Sequence, residues 1–596
     1  MNIKRKSLSG LAVACAAVLT LTACGGNGNG DSSSDSFGFD DCVDDPNGCN
    51  SGERVQGGKV TAVIDSGWTG WNTNRASDRN VYAVQAIGAI YPDTLEFLPD
   101  TTPRYNSAIV TGEPELVSED PLTVKYSLNP DANWGDGTPI TYKDFIYNWY
   151  SWSGNADHCN QEDCMPASTA WGGNVESIDE TGDNEITVTY VDGYANPEWP
   201  FQSILSYPAH IIENEGFEDW MDDPDVMGES AVWHSTNVPT WSAGPMKIRD
   251  ASAGEYVILE PNPEYVGDVE VTLDEVELQV IPDVESIVTE LRQGSVNMAS
   301  PASIDPDQMD NIRSLDGVNY HTGPGPSWTH IDINTNNEFL SDVELRKAVF
   351  TAIDVQGMVD RTFGLAVDDQ VRKVNHSFSA DSPYHFDAYA NSTQGTGDHD
   401  AARQILADAG YEWDSNDNLL TPEGEQVTFN FRAAVDDTIR SDIAEITQQQ
   451  LADIGITVAL DSIPAGDLGP VLSEGAYDLI VFGWSGSPLF ATAPQQQWYT
   501  GSGSNFGDLS NEELDAVIEK ILTTNDIDEA AAYTNEAIEL LVEEAYVLPL
   551  VDQPVVIMAD ENLVNVRDNP SSSNRGLYNI GEWGYADEDA AAASLS

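Results

Sequence analysis

Residues 477–488 read YDLIVFGWSGSP. The apolar run Leu479–Phe482 has the length of a buried strand, and it stops abruptly at Gly483. The stop, Gly483-Trp484-Ser485-Gly486-Ser487, puts a large aromatic ring and two hydroxyls at a strand end. In open α/β sheets ligands bind outside the carboxyl ends of strands. Two readings compete: Ser485 is a nucleophile on a strained turn, or Trp484 is the wall of a binding cleft. The nucleophile elbow Gly-x-Ser-x-Gly needs a second glycine where Ser487 stands, and it leads into a helix, whereas Pro488 and Pro494 follow. The elbow fold also carries its histidine after the serine, and all eight histidines precede Ser485. The cleft wall is the better reading.

A chain of 596 residues exceeds one hydrophobic core and suits two to four domains. Apolar residues make up 40%, enough for sizeable cores. The 25 basic and 100 acidic residues give a net charge of −75, which excludes nucleic acid and anionic lipid surfaces as partners. Such a surface is heavily solvated and suits high external salt, which screens its self-repulsion.

The N-terminus reads as a leader. Lys4, Arg5 and Lys6 precede the short apolar stretch Leu8–Leu21, and Leu21-Thr22-Ala23 places small residues before Cys24. The Leu-Thr-Ala-Cys ending resembles a bacterial lipobox, so residues 1–23 are expected to be a lipoprotein signal peptide and Cys24 the lipidated first residue. Two or more acyl chains there would hold the protein stably on the extracytoplasmic face of the cell membrane. No other stretch is apolar and long enough to span a bilayer. Residues 24–57, rich in Gly, Asn, Ser and Asp, are expected to be a flexible tether. Six cysteines less Cys15 and Cys24 leave four. Four allow three pairings, and sequence distance favours Cys42–Cys49 and Cys159–Cys164 as disulfides of an exported chain.

Helices and strands alternate after residue 58. GGKVTAVIDSGWTGWN opens with a short strand and runs into a loop carrying Trp68 and Trp71. Ser341-Asp342-Val343-Glu344 has the form of a capping box opening a helix with Val349, Ile353 and Val359 on its apolar side. Ile439, Ile443, Ile446, Leu451 and Ile454 stripe a second helix, ended by Gly455 and followed by the strand Ile456–Leu460. Ser510-Asn511-Glu512-Glu513 caps a third, with Leu514, Val517, Ile518 and Leu522 facing inward. This is α/β patterning with crossover connections. Chemistry-bearing motifs are few. There is no Walker loop, no His-Glu-x-x-His and no dinucleotide fingerprint, so no cofactor is implied. Asp414, Asn416, Asn418 and Glu425 fall at positions 1, 3, 5 and 12 of a calcium loop, but Leu419 replaces its turn glycine. A polar turn, a strand and a second turn describe that stretch better, and no metal site is expected.

Several segments in order resemble the extracytoplasmic solute-binding proteins of family 5, the oligopeptide- and dipeptide-binding receptors of ABC importers. These are Asn133-Trp134-Gly135-Asp136-Gly137-Thr138-Pro139-Ile140-Thr141 continuing to Asp144-Phe145 and Trp149, then Gly244-Pro245-Met246-Lys247-Ile248, and Asn262-Pro263-Glu264-Tyr265-Val266-Gly267. Residues 331–354, the stretch QQQLADIGITV and YDLIVFGWSG complete the set. The resemblance implies a two-lobed periplasmic-binding-protein-like α/β fold (type II) with an inserted accessory α/β domain. Lobe one would combine 58–92, 244–326 and 550–590, the accessory domain would be 93–243, and lobe two 327–549. It implies a monomeric receptor without catalysis, which captures a small solute, a peptide first of all, and hands it to ABC permease subunits. The cleft would be lined by Ser77, Trp328, Gly483, Trp484, Ser485 and Ser487. One departure stands out: peptide binders of this family carry an aspartate where this chain has Ser487, and it pairs with the ligand's ammonium. Asp78 and Asp552 are the candidates to replace it. An oligosaccharide, whose C–H face would lie on a tryptophan ring, is the alternative solute, and a secreted lipoprotein hydrolase the alternative function.

Overall fold

The run Leu479–Phe482 forms the heart of a strand, Leu479–Ser485, inside a ten-stranded mixed sheet. The structure is a computed structural model and describes residues 38–39, 42–435, 437–464 and 467–595. The leader, Cys15 and Cys24 lie outside the described residues. Among those described, no helix is long and apolar enough to cross a membrane.

Two long strands, Val318–Ile333 and Val547–Asp560, organise the sheet. They run antiparallel, with the ladder broken between Pro324 and Trp328 and again between Thr329 and His330. Pro324, Pro326 and Pro554 lack N–H donors, which is why pairing lapses there and the strands can bend. Gly325 is required at this crossing, because a Cβ would lie 2.6 Å from the Gln553 carbonyl oxygen. On one side of the break, residues 554–560 pair with 318–324, and Ala559 and Met558 pair with Met298 and Ala299. On the other, residues 547–552 pair with 328–332, and Ser327–Ile333 pairs with Leu479–Ser485.

The two largest hydrophobic clusters divide at the same place, giving two lobes, while a smaller one joins Ala366 and Val367 to Val63, Ile287 and Val556. One gathers Val60, Ile64, Val257, Leu278, Ile557 and Trp583. Another gathers Ile331, Val349, Phe431, Ile443, Val481 and Leu548. The strands Glu115–Glu119, Leu122–Ser127, Val175–Gly182 and Glu185–Tyr190 make a separate antiparallel sheet, backed by the helix Tyr142–Trp152. Its Val124, Val188, Tyr147 and Trp220 belong to the same cluster as Val60 and Ile64, so this accessory unit shares its core with lobe one.

Four sequence expectations shift. Residues 42–57 are folded, not tether: Cys42 and Cys49 are buried, Asn50 donates to the carbonyls of Leu563 and Val566 at 3.1 and 3.2 Å, and the Val55 N–H donates to Tyr585. Backbone bonds, the Asn50 and Asn565 amides and the Arg54 and Arg567 guanidiniums hold this stretch, so its low hydrophobicity gave no sign of it. The helix expected to start at Ser341 is capped by Asp342, whose carboxylate accepts from the Glu344 N–H, while the Ser341 hydroxyl turns back to Glu338. That helix ends at Ala352, and Val359 lies on a second one, Val355–Arg361, capped by Asp354. The strand after Gly455 runs Thr457–Ile463. The helices Thr438–Ala452 and Glu512–Ile521 follow their stripes, capped by Asp437 and Asn511. Disulfides join Cys42 to Cys49 and Cys159 to Cys164. The Asp414 carboxylate accepts from the N–H groups of Asn416 and Asn418 in the turn between two short paired strands.

Candidate functional site

Strand directions locate the cleft. Lys59–Ile64, Glu275–Val280 and Met298–Ala299 are parallel to one another, and Met298–Ala299 is antiparallel to Val547–Asp560. They therefore run in the sense of Val318–Ile333, from lobe one toward lobe two. Thr428–Ala434, Thr457–Ile463 and Leu479–Ser485 are parallel to one another, and the last is antiparallel to Val318–Ile333. They run from lobe two toward lobe one. The carboxyl ends of both sets thus face the same gap, with the proline-broken crossing as its floor.

In lobe two the register pairs Trp328 with Trp484 and His330 with Phe482, so these four side chains share one face. Trp484 is partly exposed and lies parallel to Phe506, with centroids 5.7 Å apart, and to His330 at 6.4 Å. Trp328 is placed differently from expectation. It is 5% exposed and packs with Trp498, Leu514 and Tyr546, so it lies in the core while Trp484 keeps part of its ring at the surface. Gly483 is fixed by crowding: a Cβ would come within 3.2 Å of the Trp328 carbonyl oxygen and 3.4 Å of an Arg440 guanidinium nitrogen. Ser485 and Ser487 are exposed. The Ser487 oxygen accepts from the Leu489 N–H at 3.1 Å and so shapes the following turn.

The three remaining candidates are already engaged. Ser77 is exposed on the loop after the first strand and donates to Asp78 at 2.8 Å. Asp78, 4% exposed, also accepts from the Asn72 N–H and faces Arg75 at 3.7 Å. It closes its own loop and offers no free carboxylate. Asp552 lies opposite Trp328 and is paired to Lys373 at 2.7 Å.

Several residues here were not singled out by the sequence. His330 is fully buried and bonds Asp332 through Nδ1 at 2.6 Å. His376 is buried beside Trp328 and Trp498, and burial pushes its pKa down to about 4. Arg440 borders Gly483 and pairs with Asp437 at 3.1 Å. Arg79, on the Ser77 loop, lies over Trp152 at 5.3 Å, and no carboxylate among the described residues comes within ion-pair distance of it. His330 alternates with Trp328 and Asp332 in a strand pattern, a signal that was present, whereas His376 lies outside any strand. Arg79 and Arg440 carried none, because surface arginines are ordinary. With no nucleophile–base pair among the described residues named here, this arrangement can hold and enclose a solute.

Comparison with known proteins agrees with that geometry. The model for bacterial extracellular solute-binding proteins, family 5 (Middle), matches residues 108–506. The chain is 26% identical over 516 residues to the oligopeptide-binding protein OppA of Mycobacterium tuberculosis, covering 85% of this chain and 82% of that protein. To the oligopeptide-binding protein AppA of Bacillus subtilis it is 25% identical over 506 residues, covering 82% and 85%. Among solved structures, a periplasmic EDTA-binding protein, EppA, superposes with a TM-score of 0.80 at 27% identity, over 91% of this chain and 99% of that one. The Bacillus subtilis AppA complex with a nonapeptide superposes with a TM-score of 0.65 at 19% identity, covering 90% and 100%. The chain belongs to family 5 of the bacterial extracellular solute-binding proteins, two-lobed transport receptors and not enzymes.

Proposed function

We propose that this chain is the lipid-anchored, monomeric receptor of an ABC importer, capturing an oligopeptide-like solute between its lobes and presenting it to the permease. The likeness to oligopeptide-binding proteins along 516 residues carries the choice of solute. The cleft supports it: facing strand ends offer backbone N–H and C=O groups to an extended chain, and Trp484 offers a ring for one side chain. Binding favours the closed state through contacts that exist only when both lobes touch the solute, and the crossing at Gly323–Pro326 is where the strands bend. Cys24 ties the receptor to the membrane. Native mass spectrometry of the purified protein, followed by calorimetry with free and N-acetylated peptides, tests the solute. Binding of free peptides supports the reading, and failure of every peptide overturns it. Fractionation tests the anchor: Cys24→Ser is expected to leave the membrane fraction or remain unprocessed.

A second reading has its own support. Ser487 is neutral, Asp78 and Asp552 are engaged, and no carboxylate among the described residues comes within ion-pair distance of Arg79, so the cleft favours an anionic solute over an ammonium. The EDTA-binding protein is 27% identical to this chain. EDTA, Fe(III)-EDTA and oligosaccharides belong in the same calorimetric screen. Tight binding of a chelate with no peptide bound would establish the second reading in place of the first.

A further inference from the structure

Glu198 is 4% exposed and has no cationic partner among the described residues. An ionised carboxylate so placed is costly unless hydrogen bonds compensate it. Its Oε1 accepts two backbone N–H bonds, from Phe490 at 2.5 Å and from Ala491 at 2.9 Å. Burial pushes its pKa up against those two bonds. Both donors belong to the second lobe, where Phe490 and Ala491 pack with Phe378, Ile521 and Ile538. They lie just beyond Ser487, on the turn that leaves the cleft strand.

The segment holding Glu198 is braced within the accessory unit. The Asn196 side chain accepts from the Glu198 N–H, and Gln202 donates to the Glu198 carbonyl. A second contact stands beside the first. Asn525 of lobe two accepts from the Asn196 N–H at 2.9 Å through its side chain and from the Trp199 indole at 3.2 Å through its carbonyl, and it donates to the Glu119 carbonyl at 3.3 Å. Two residues thus make five hydrogen bonds from the accessory unit to the second lobe.

The turn Pro488–Ala491 has no strand partner to fix it. The Ser487 oxygen holds the Leu489 N–H, Phe490 packs on Phe378 and Gly486 donates to the Pro326 carbonyl, while the N–H groups of Phe490 and Ala491 are held from the other side of the gap by Glu198. We infer that Glu198 is a positioning residue for the cleft turn, and that the accessory unit is a latch which holds lobe two in the closed arrangement. Asn525 is the second point of the same latch. The inference rests on the cleft assigned above but not on the identity of the solute.

The test therefore uses no ligand. Amide hydrogen exchange at Phe490 and Ala491 is measured on the full chain, with the radius of gyration from solution scattering, for wild type, Glu198→Ala, Glu198→Gln and Asn525→Ala. Glutamine keeps one oxygen acceptor in the same shape. Loss of a bond to a charged acceptor is worth about tenfold or more in exchange. Glu198→Ala is expected to speed both amides by at least that factor and to enlarge the radius of gyration. Glu198→Gln is expected to restore most of the protection, and Asn525→Ala to enlarge the radius while leaving the two amides slower than in Glu198→Ala. If Glu198→Ala fails to fold, the other two variants decide. Unchanged exchange in the alanine variant, or one radius of gyration for all folded proteins, overturns the latch. A solute screen that fails leaves these readouts standing, so the two failures are distinguishable.

Discussion

Asp552→Asn is expected to destabilise lobe two, because the structure gives that carboxylate a structural task. The Lys373 ammonium and the Asp552 carboxylate are 2.7 Å apart, with side chains 6% and 28% exposed. At an effective dielectric of ~20, the attraction at that distance is about 6 kcal/mol. Desolvating Lys373 cancels part of it, leaving a coupling on the order of 2–4 kcal/mol. Removing the carboxylate leaves the ammonium buried beneath Trp328, 5.8 Å from its ring, with no countercharge, a loss of about 3–5 kcal/mol. For a unit of ~200 residues, 1 kcal/mol moves the thermal midpoint by about 2–4 °C, so the expected fall is about 6–20 °C. Lys373→Met with Asp552→Asn restores most of the loss, since a buried pair exchanged for apolar volume is near neutral. Calorimetry of the four proteins closes the cycle. Additive effects of the two substitutions would refute the coupling. A normal midpoint in Asp552→Asn, together with lost peptide binding, would show instead that Asp552 is the solute's anchor.

Three further outcomes follow from the same geometry. Trp484→Ala is expected to weaken the bound solute by about 30- to 1,000-fold, the worth of a 2–4 kcal/mol aromatic contact, and to remove the fluorescence change on binding; an unchanged isotherm rules out the wall. Thermal midpoints are expected to rise from 0.1 to 1 M sodium chloride, as the Debye length falls from ~10 to ~3 Å around a chain of charge −75; a flat curve shows charges too far apart to matter. His376, held neutral with a pKa of about 4 against an ordinary 6.5, binds fewer protons folded than unfolded in that window. Its contribution is full above pH 6.5 and is lost as pH falls toward 4. The midpoint of His376→Gln is therefore expected to depend less on pH between 4 and 6.5, and an unchanged slope removes His376 from the account.

Much of this fold is legible in the sequence because it rests on short-range patterns. Leu479–Phe482 declares a buried strand by composition, the isoleucine stripe from Ile443 declares its helix, and Gly455, at φ +88°, ends the turn that follows. What the sequence hides is pairing at long range. Nothing local in residues 42–57 says that Asn50 binds carbonyls at 563 and 566, since its partners are backbone groups that any residue supplies. The same holds in the site. Asp552 is a free carboxylate in the sequence and an engaged one in the structure, because Lys373, 179 residues away, meets it only after folding. Trp328 and Trp484 share the marks of a cleft aromatic, yet burial separates them by a single strand-pair geometry: one lies in the core and the other keeps part of its ring at the surface.

The contacts at Glu198 and Asn525 differ in kind from the apolar clusters, one of which also joins Ala366 and Val367 to Val63 and Ile287 of lobe one. Within each lobe the contacts are apolar clusters, whose burial is worth about 25 cal/mol per Å² and which do not open under ordinary fluctuation. Between the accessory unit and lobe two, the contacts at Glu198 and Asn525 are hydrogen bonds. Each exchanges with water for a net gain of only about 0.5–3 kcal/mol. A latch built of such bonds shifts the balance toward closure by a few kcal/mol without locking it, so a solute's contacts can still decide the outcome. An apolar latch of equal area would hold the receptor shut, empty or full. The buried carboxylate suits this duty because its alternative partner is water, which returns as soon as the lobes part.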